Sequence, residues 1–204
     1  MARSHPAAHV AEGAHIIFPE EVTDARGVTY GPEQLKHLVK TLPSDRQLRW
    51  LQENTYAVVA GPPTPISLLQ VRALNPQLFI FETGGWYAEQ PFASTDKVGC
   101  KWLAIRKEPV SNSMNKTWRA QRKVLRRREQ VPNVAEMAWF ITTYYEVRKT
   151  RLFPNAYVRT SSVDSDGDRV SVGPFDENGL YVGDSDCWDD DYGCDLGVAA
   201  SRKF

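Results

Sequence analysis

Pro132-Asn133-Val134-Ala135-Glu136-Met137-Ala138-Trp139-Phe140-Ile141-Thr142-Thr143-Tyr144 is the stretch on which the fold turns. Pro132 ends whatever precedes it. Asn133, with Glu136 three positions on, forms a variant capping box: the asparagine oxygen can accept a first-turn amide while the glutamate reaches back to the cap. Met137, Phe140, Ile141 and Tyr144 then recur at helical spacing, which predicts a helix buried against the segment that follows.

That segment changes period. After Phe153 apolar residues alternate, and Tyr157 to Thr160, Arg169 to Val172, Leu180 to Val182 and Leu196 to Ala199 read as short strands. Asp-Gly, Asn-Gly and Tyr-Gly pairs separate them, as hairpin turns require. The expectation is a small antiparallel meander with long acidic loops and a C-terminus pinned in the sheet.

Upstream of Pro132, residues 115–128 read as a strongly basic helix with Trp118, Val124 and Leu125 as buried points. Lys101 to Ile105 and Leu78 to Phe81 are strand candidates, the latter ended by Gly84-Gly85. Nearer the N-terminus, Pro19 closes the short apolar run Ile16 to Phe18. Gly31-Pro32 opens a first helix carrying Leu35, Leu38, Val39 and Leu42. Ser44 and Gln47 make a capping box for a second. After Gly61-Pro62-Pro63, Thr64 and Pro65 suit the start of a third, with Ile66, Leu68, Leu69 and Leu74 on it. The fold class is therefore α+β: short N-terminal helices, two longer central helices and a C-terminal antiparallel β meander. Three segments follow, a flexible arm at 1–14, a small helical module at 15–77 and an α+β domain at 78–204.

The 204 residues carry 25 Lys plus Arg against 25 Asp plus Glu, so the net charge is zero and no global electrostatic pull toward nucleic acid or membrane exists. The distribution is uneven, with bases between Lys116 and Arg128 and acids between Asp164 and Asp195. No apolar run has the length of a secretory signal or a membrane span. Cys100, Cys187 and Cys194 cannot all pair within one chain and match no zinc-site spacing. A cytoplasmic protein is the expectation, although a removed signal would leave the same sequence.

The last third resembles a bacterial C-type-lectin-like domain. The likeness is to the Fibrobacter succinogenes major paralogous domain and, more distantly, to formylglycine-generating-enzyme-like domains. The carriers are the helix opening at 131–139, Arg159-Thr160-Ser161-Ser162, Phe175-Asp176-Glu177-Asn178-Gly179-Leu180 and Leu196-Gly197-Val198-Ala199-Ala200-Ser201-Arg202-Lys203. The closing strand lacks the usual aromatic after glycine, and nothing before Lys101 matches. The resemblance implies ligand-facing variable loops, with Asp184 to Asp195 as one of them.

Four candidate sites stand out. Asp184, Asp186, Asp189 and Asp190 with Trp188 and Tyr192 suit ligand or protein binding, hydrogen bonding around aromatic anchors. A metal or cationic ligand, a second copy of this chain and plain solvation of the carboxylates are the other readings. Asp164, Asp166 and Asp168 around Gly167 resemble the start of a calcium loop, but the twelfth position is Phe175 rather than glutamate, and a solvated hairpin loop has the same composition. Arg119, Arg122, Lys123, Arg126 and Arg127 would share one helical face and could lie along phosphates, as could any solvated amphipathic helix. Ser113-Met114-Asn115-Lys116 has the serine, two residues, lysine spacing of penicillin-recognising enzymes without their lysine-threonine-glycine element. His5, His9, His15 and His37 all lie far from any nucleophile candidate. The reading is a non-enzymatic binding module using the acidic and aromatic C-terminal loops. Two alternatives stand beside it, a nucleic-acid-associated protein using the basic helix and a calcium-dependent ligand binder. Calcium is the one cofactor considered. A protein or small ligand is the favoured partner, self-association is compatible with the charge pattern, and no membrane is expected.

Overall fold

In the computed structural model, which describes residues 16–184 and 196–204, the helix α7 (Val134–Arg148) runs through the middle of the molecule. Asn133 caps it as expected: its side-chain oxygen accepts the Glu136 amide at 2.8 Å, and Glu136 Oε2 accepts the Asn133 amide at 2.9 Å. Every residue from Val134 to Tyr144 is buried, so α7 has no solvent face over its first three turns. Such a helix must be enclosed on all sides, and the remaining elements do so.

One wall is a five-stranded sheet ordered β1-β2-β5-β11-β6, formed by β1 (Ile16–Ile17), β2 (Tyr56–Ala60), β5 (Trp102–Arg106), β11 (Ser201–Arg202) and β6 (Glu129–Gln130). The other is a four-stranded sheet ordered β10-β7-β8-β9, from β10 (Leu196–Val198), β7 (Tyr157–Val163), β8 (Arg169–Asp176) and β9 (Gly179–Asp184). α7 touches β2 and β5 of the first and β7 and β8 of the second, along with α1 (Pro19–Arg26) and α4 (Leu68–Leu74). Trp139 ties it down, its indole N–H donating to the Ala60 carbonyl at 3.0 Å. At the far end Arg148 donates to Glu21 and to the Ile16 carbonyl, both at 2.7 Å.

Helices α2 (Pro32–Lys40) and α3 (Asp45–Glu53) start where the sequence places them, and Ser44 with Gln47 forms the expected box on α3. The hairpin turns also stand: Gly167 and Gly179 both take positive φ, at +93° and +116°.

Other expectations are corrected. Pro19 opens a helix instead of closing a run, because Ile16 and Ile17 are drawn into a parallel pairing with Val58 and Val59. The third helix begins at Leu68 with Ser67 as its cap; Ile66 and Ser67 form β3, paired with β4 (Lys97–Val98), and Thr64 caps nothing. Leu78 to Phe81 is not a strand. Residues Pro76–Leu78 form a short 3-10 turn, and Phe79 makes a single bridge to Leu180. The separate helical module at 15–77 dissolves, since β1 and β2 lie in one sheet with β5, β11 and β6. The central pair of long helices reduces to α7, because α6 (Trp118–Val124) has only seven residues.

The meander is antiparallel only across β7, β8 and β9. β10 pairs parallel with β7, Leu196 facing Tyr157 and Val198 facing Arg159. Within three residues the chain then crosses to the first sheet as β11, between β5 and β6. Gly197 makes the passage possible: a Cβ there would lie 2.8 Å from both Met114 Sδ and Pro109 Cβ. The segments that carry the lectin-like resemblance fall at the start of α7, in β7, in the β8–β9 hairpin and in β10–β11.

Two stability outcomes follow from this packing. In Gly61→Ala the new methyl would meet the Gly99 carbonyl oxygen at 2.1 Å, so the urea midpoint should fall by the equivalent of about 1–3 kcal/mol. Arg26 is buried against Trp139 with Nε and Nη1 unpartnered, and burial pulls its guanidinium down to about 10. Arg26→Met should therefore raise the thermal midpoint, by the equivalent of about 1 kcal/mol.

Candidate functional site

Pairing of β6 with β11 brings two basic segments together from opposite ends of the sequence. Arg202 faces Glu129, Ser201 faces Gln130, and the Lys203 amide donates to the Arg128 carbonyl at 3.1 Å. Lys203 thus lies beside Arg128, a like-charge neighbourhood that weakens the sheet edge it occupies.

A single buried carboxylate holds this edge. The Glu129 side chain is 0% exposed. It accepts the Tyr56 hydroxyl at 2.5 Å and the Arg126 amide at 2.7 Å, with Arg106 Nη1 at 3.6 Å. The Glu129 amide in turn donates to the Arg126 carbonyl at 2.8 Å, closing a tight turn. Behind it, Trp50 of α3 is overlain by the Arg202 guanidinium at 3.8 Å and the Arg126 guanidinium at 5.8 Å from the ring centroid. Arg126 also donates to Asn54 Oδ1 at 2.6 Å. With Glu129 and Arg126 fixed internally, Arg127 and Arg128 are left exposed at the tip of the turn.

The expected basic helical face is thereby revised. Thr117 caps α6 by accepting the Ala120 amide, and the helix stops at Val124. Leu125 is extended and packs, with Val124, against Val110, Trp118, Val198 and Ala200. Arg119, Arg122 and Lys123 stay on the helix, whereas Arg126 and Arg127 lie beyond it in the turn. Five crowded cations repel one another along a helix, and the hydrophobic anchor at Leu125 is better served by an extended chain. The tract remains one exposed basic strip, now joined by Arg128 and Lys203. Arg119, Lys123, Arg127, Arg128 and Lys203 form no ion pair among the described residues.

Next to the strip lies a groove of about 360 Å³ between α2, the start of β5 and the residues after β11. His37, Trp102, Lys203 and Phe204 line it, together with the ion pair of Lys101 Nζ and Glu136 Oε1 at 2.5 Å. Sequence reasoning missed the groove, the Lys101–Glu136 pair and the contribution of Arg202 and Lys203. Glu136 was legible only as a capping residue, and its second partner comes from 35 residues away.

Of the other candidates, Asp164 points its Oδ1 at the backbone amides of Asp166 and Asp168, both at 2.9 Å, as a turn-closing aspartate does. Among the described residues no group of three His, Cys, Asp or Glu side chains is placed to hold a metal, so the calcium reading of Asp164, Asp166 and Asp168 lacks a ligand set. Asp186, Trp188, Asp189, Asp190 and Tyr192 lie outside the described residues, as do Cys187 and Cys194; Asp184 contributes the last backbone position of β9. Ser113 is buried, and its hydroxyl accepts the Val198 amide at 3.1 Å, which gives the serine-lysine spacing a structural role. Burial pushes the Cys100 thiol up, away from the reactive thiolate. No helix among the described residues is long and apolar enough to cross a membrane.

Comparison with protein-family models, with curated proteins and with solved structures returns no match. The assignment of function therefore rests on the geometry of the strip and groove.

The anchor of the strip has a pH signature. Burial first, and then the bond to Glu129, push the Tyr56 hydroxyl well above its usual value. Folded Tyr56 keeps its proton where the unfolded residue, with a pKa of about 10, releases it. Its contribution is complete below about pH 10 and is lost as pH rises further. Urea midpoints measured against pH should fall on the alkaline side, and the fall should be shallower in Tyr56→Phe. Tyr30, Tyr87 and Tyr144, raised by burial as well, will sustain the remainder.

Proposed function

We propose that this chain is a non-enzymatic binding protein for nucleic acid, engaging the phosphate backbone through the basic strip of α6, the 126–128 turn and Lys203. The observation that supports it is the joining of two basic tracts across β6 and β11. Two acids beside them, Glu129 in the turn and Glu136 in the adjoining groove, are both occupied inside the protein. A solvated surface gains nothing from placing Lys203 beside Arg128, while a polyanion gains from both. The net charge of zero is no obstacle, because the local field of a patch, not the total, steers a charged partner.

The acidic and aromatic loop expected as a recognition surface lies largely outside the described residues, and the proposal is built on the basic strip. Catalysis is not part of the proposal: Ser113 is consumed by a backbone amide, and the Cys100 thiol is held up by burial.

Fluorescence anisotropy with a labelled oligonucleotide across a salt series tests it. The logarithm of the association constant should fall linearly with the logarithm of salt. Replacing Arg127 and Arg128 by glutamine should weaken binding and reduce the slope by about 2, one per lost phosphate contact. Salt-insensitive binding, or no binding at low salt, would remove the proposal.

A further inference from the structure

Resting on that reading, we infer that the groove beside the strip receives an unpaired base, so that the protein favours single-stranded nucleic acid over duplex. The groove and the strip are continuous, since Gln130 of β6, Arg202 of β11 and Lys203 just after it line one and border the other. A backbone held along Arg127, Arg128 and Lys203 would therefore have a cavity within reach of its bases.

The lining suits a planar, polar-edged ring. His37 on α2 and Phe204 after β11 enter the groove from different elements, and both are exposed, Phe204 at 45%. An exposed phenylalanine at the mouth of a cationic groove is costly in water and useful under a stacked base. Toward the floor, Lys101 and Glu136 supply a fixed donor and carboxylate pair. The Lys101 side chain remains 49% exposed and Glu136 only 8%, so the ammonium is the accessible half. Its remaining N–H groups, and the amide of Gln130, can meet the acceptors and donors of a base edge. At about 360 Å³ the space falls within the range of small-molecule sites. In a duplex every base is already stacked and paired, and reaching such a groove would require extruding one, at a cost single strands do not bear.

The inference commits to a base held by stacking in the groove and phosphates held by charge on the strip, and the two contributions separate experimentally. Affinities of the full chain for a labelled single strand and for a duplex of equal length are compared at one salt concentration. His37→Ala/Phe204→Ala is then set beside the Arg127→Gln/Arg128→Gln variant. Both altered pairs are exposed, and near-ultraviolet circular dichroism verifies that the variants keep the fold. The expected result is tighter binding of the single strand, lost about tenfold in His37→Ala/Phe204→Ala, the scale of one stacked base, with the salt slope unchanged. Duplex binding should not respond to that variant. An unchanged ratio of single-strand to duplex affinity in His37→Ala/Phe204→Ala would overturn the groove while leaving the strip intact. Failure of the arginine variant to alter either affinity would overturn the strip and the groove together.

Discussion

The whole structure depends on enclosing α7. Eleven consecutive residues of this helix, Val134 to Tyr144, are buried, and a helix apolar on every side can exist in water only if other elements cover its full circumference. Neither sheet could do so alone. The five-stranded sheet takes one flank and the four-stranded sheet another, while α1, α4, β4 and the short helix Pro91–Thr95 close the remainder. Polar fastenings then fix the helix along its length. Lys101 and the Asn133 cap hold Glu136, Ala60 accepts from Trp139, and Arg148 bonds to Ile16 and Glu21. The hydrophobic effect encloses the helix without regard to direction, and these bonds set its orientation.

The two sheets are bound to each other by chain as well as by packing. β10 lies in one and β11 in the other, with two residues between. This crossing determines where the basic strip forms. Arg202 and Lys203 arrive next to Arg126–Arg128 only because β11 is inserted between β5 and β6. Glu129 then turns a repulsive meeting into a stable one: a buried carboxylate with three nearby donors costs much to desolvate and returns it by holding the turn rigid. On the proposed reading, cations whose backbone is fixed in a turn or beside a strand would lose less freedom on meeting phosphates than the same side chains on a frayed segment.

Local chemistry made part of this legible. Ser44 with Gln47 and Asn133 with Glu136 mark helix starts because both partners lie within four residues. Gly167 and Gly179 mark hairpins because positive φ is cheap only there. Longer-range signals are not legible in this way. Pro65 suits a first helical turn, but pairing with Lys97 and Val98 draws Ile66 and Ser67 into a strand. Apolarity alone makes Leu78 to Phe81 a strand candidate, whereas the chain crosses closely at Phe79, where Gly179 admits no Cβ against its backbone. The charges of the basic tract fit a helical face as far as Arg127. The anchoring of Leu125 among Val198 and Ala200, some seventy residues away, ends the helix at Val124.

By itself, then, the sequence determined the α+β class, the central helix with its cap, the hairpins and the two charged tracts, each of which is encoded within a few neighbouring residues. Tertiary structure decided the rest: the parallel register of β10, the passage of the C-terminal segment into the first sheet, the burial of Glu129 and the groove beside Phe204. The physical reason is that side chains distant along the chain carry no mutual signal until the enclosure of α7 forces them together, and the strip and the groove exist only at such meetings.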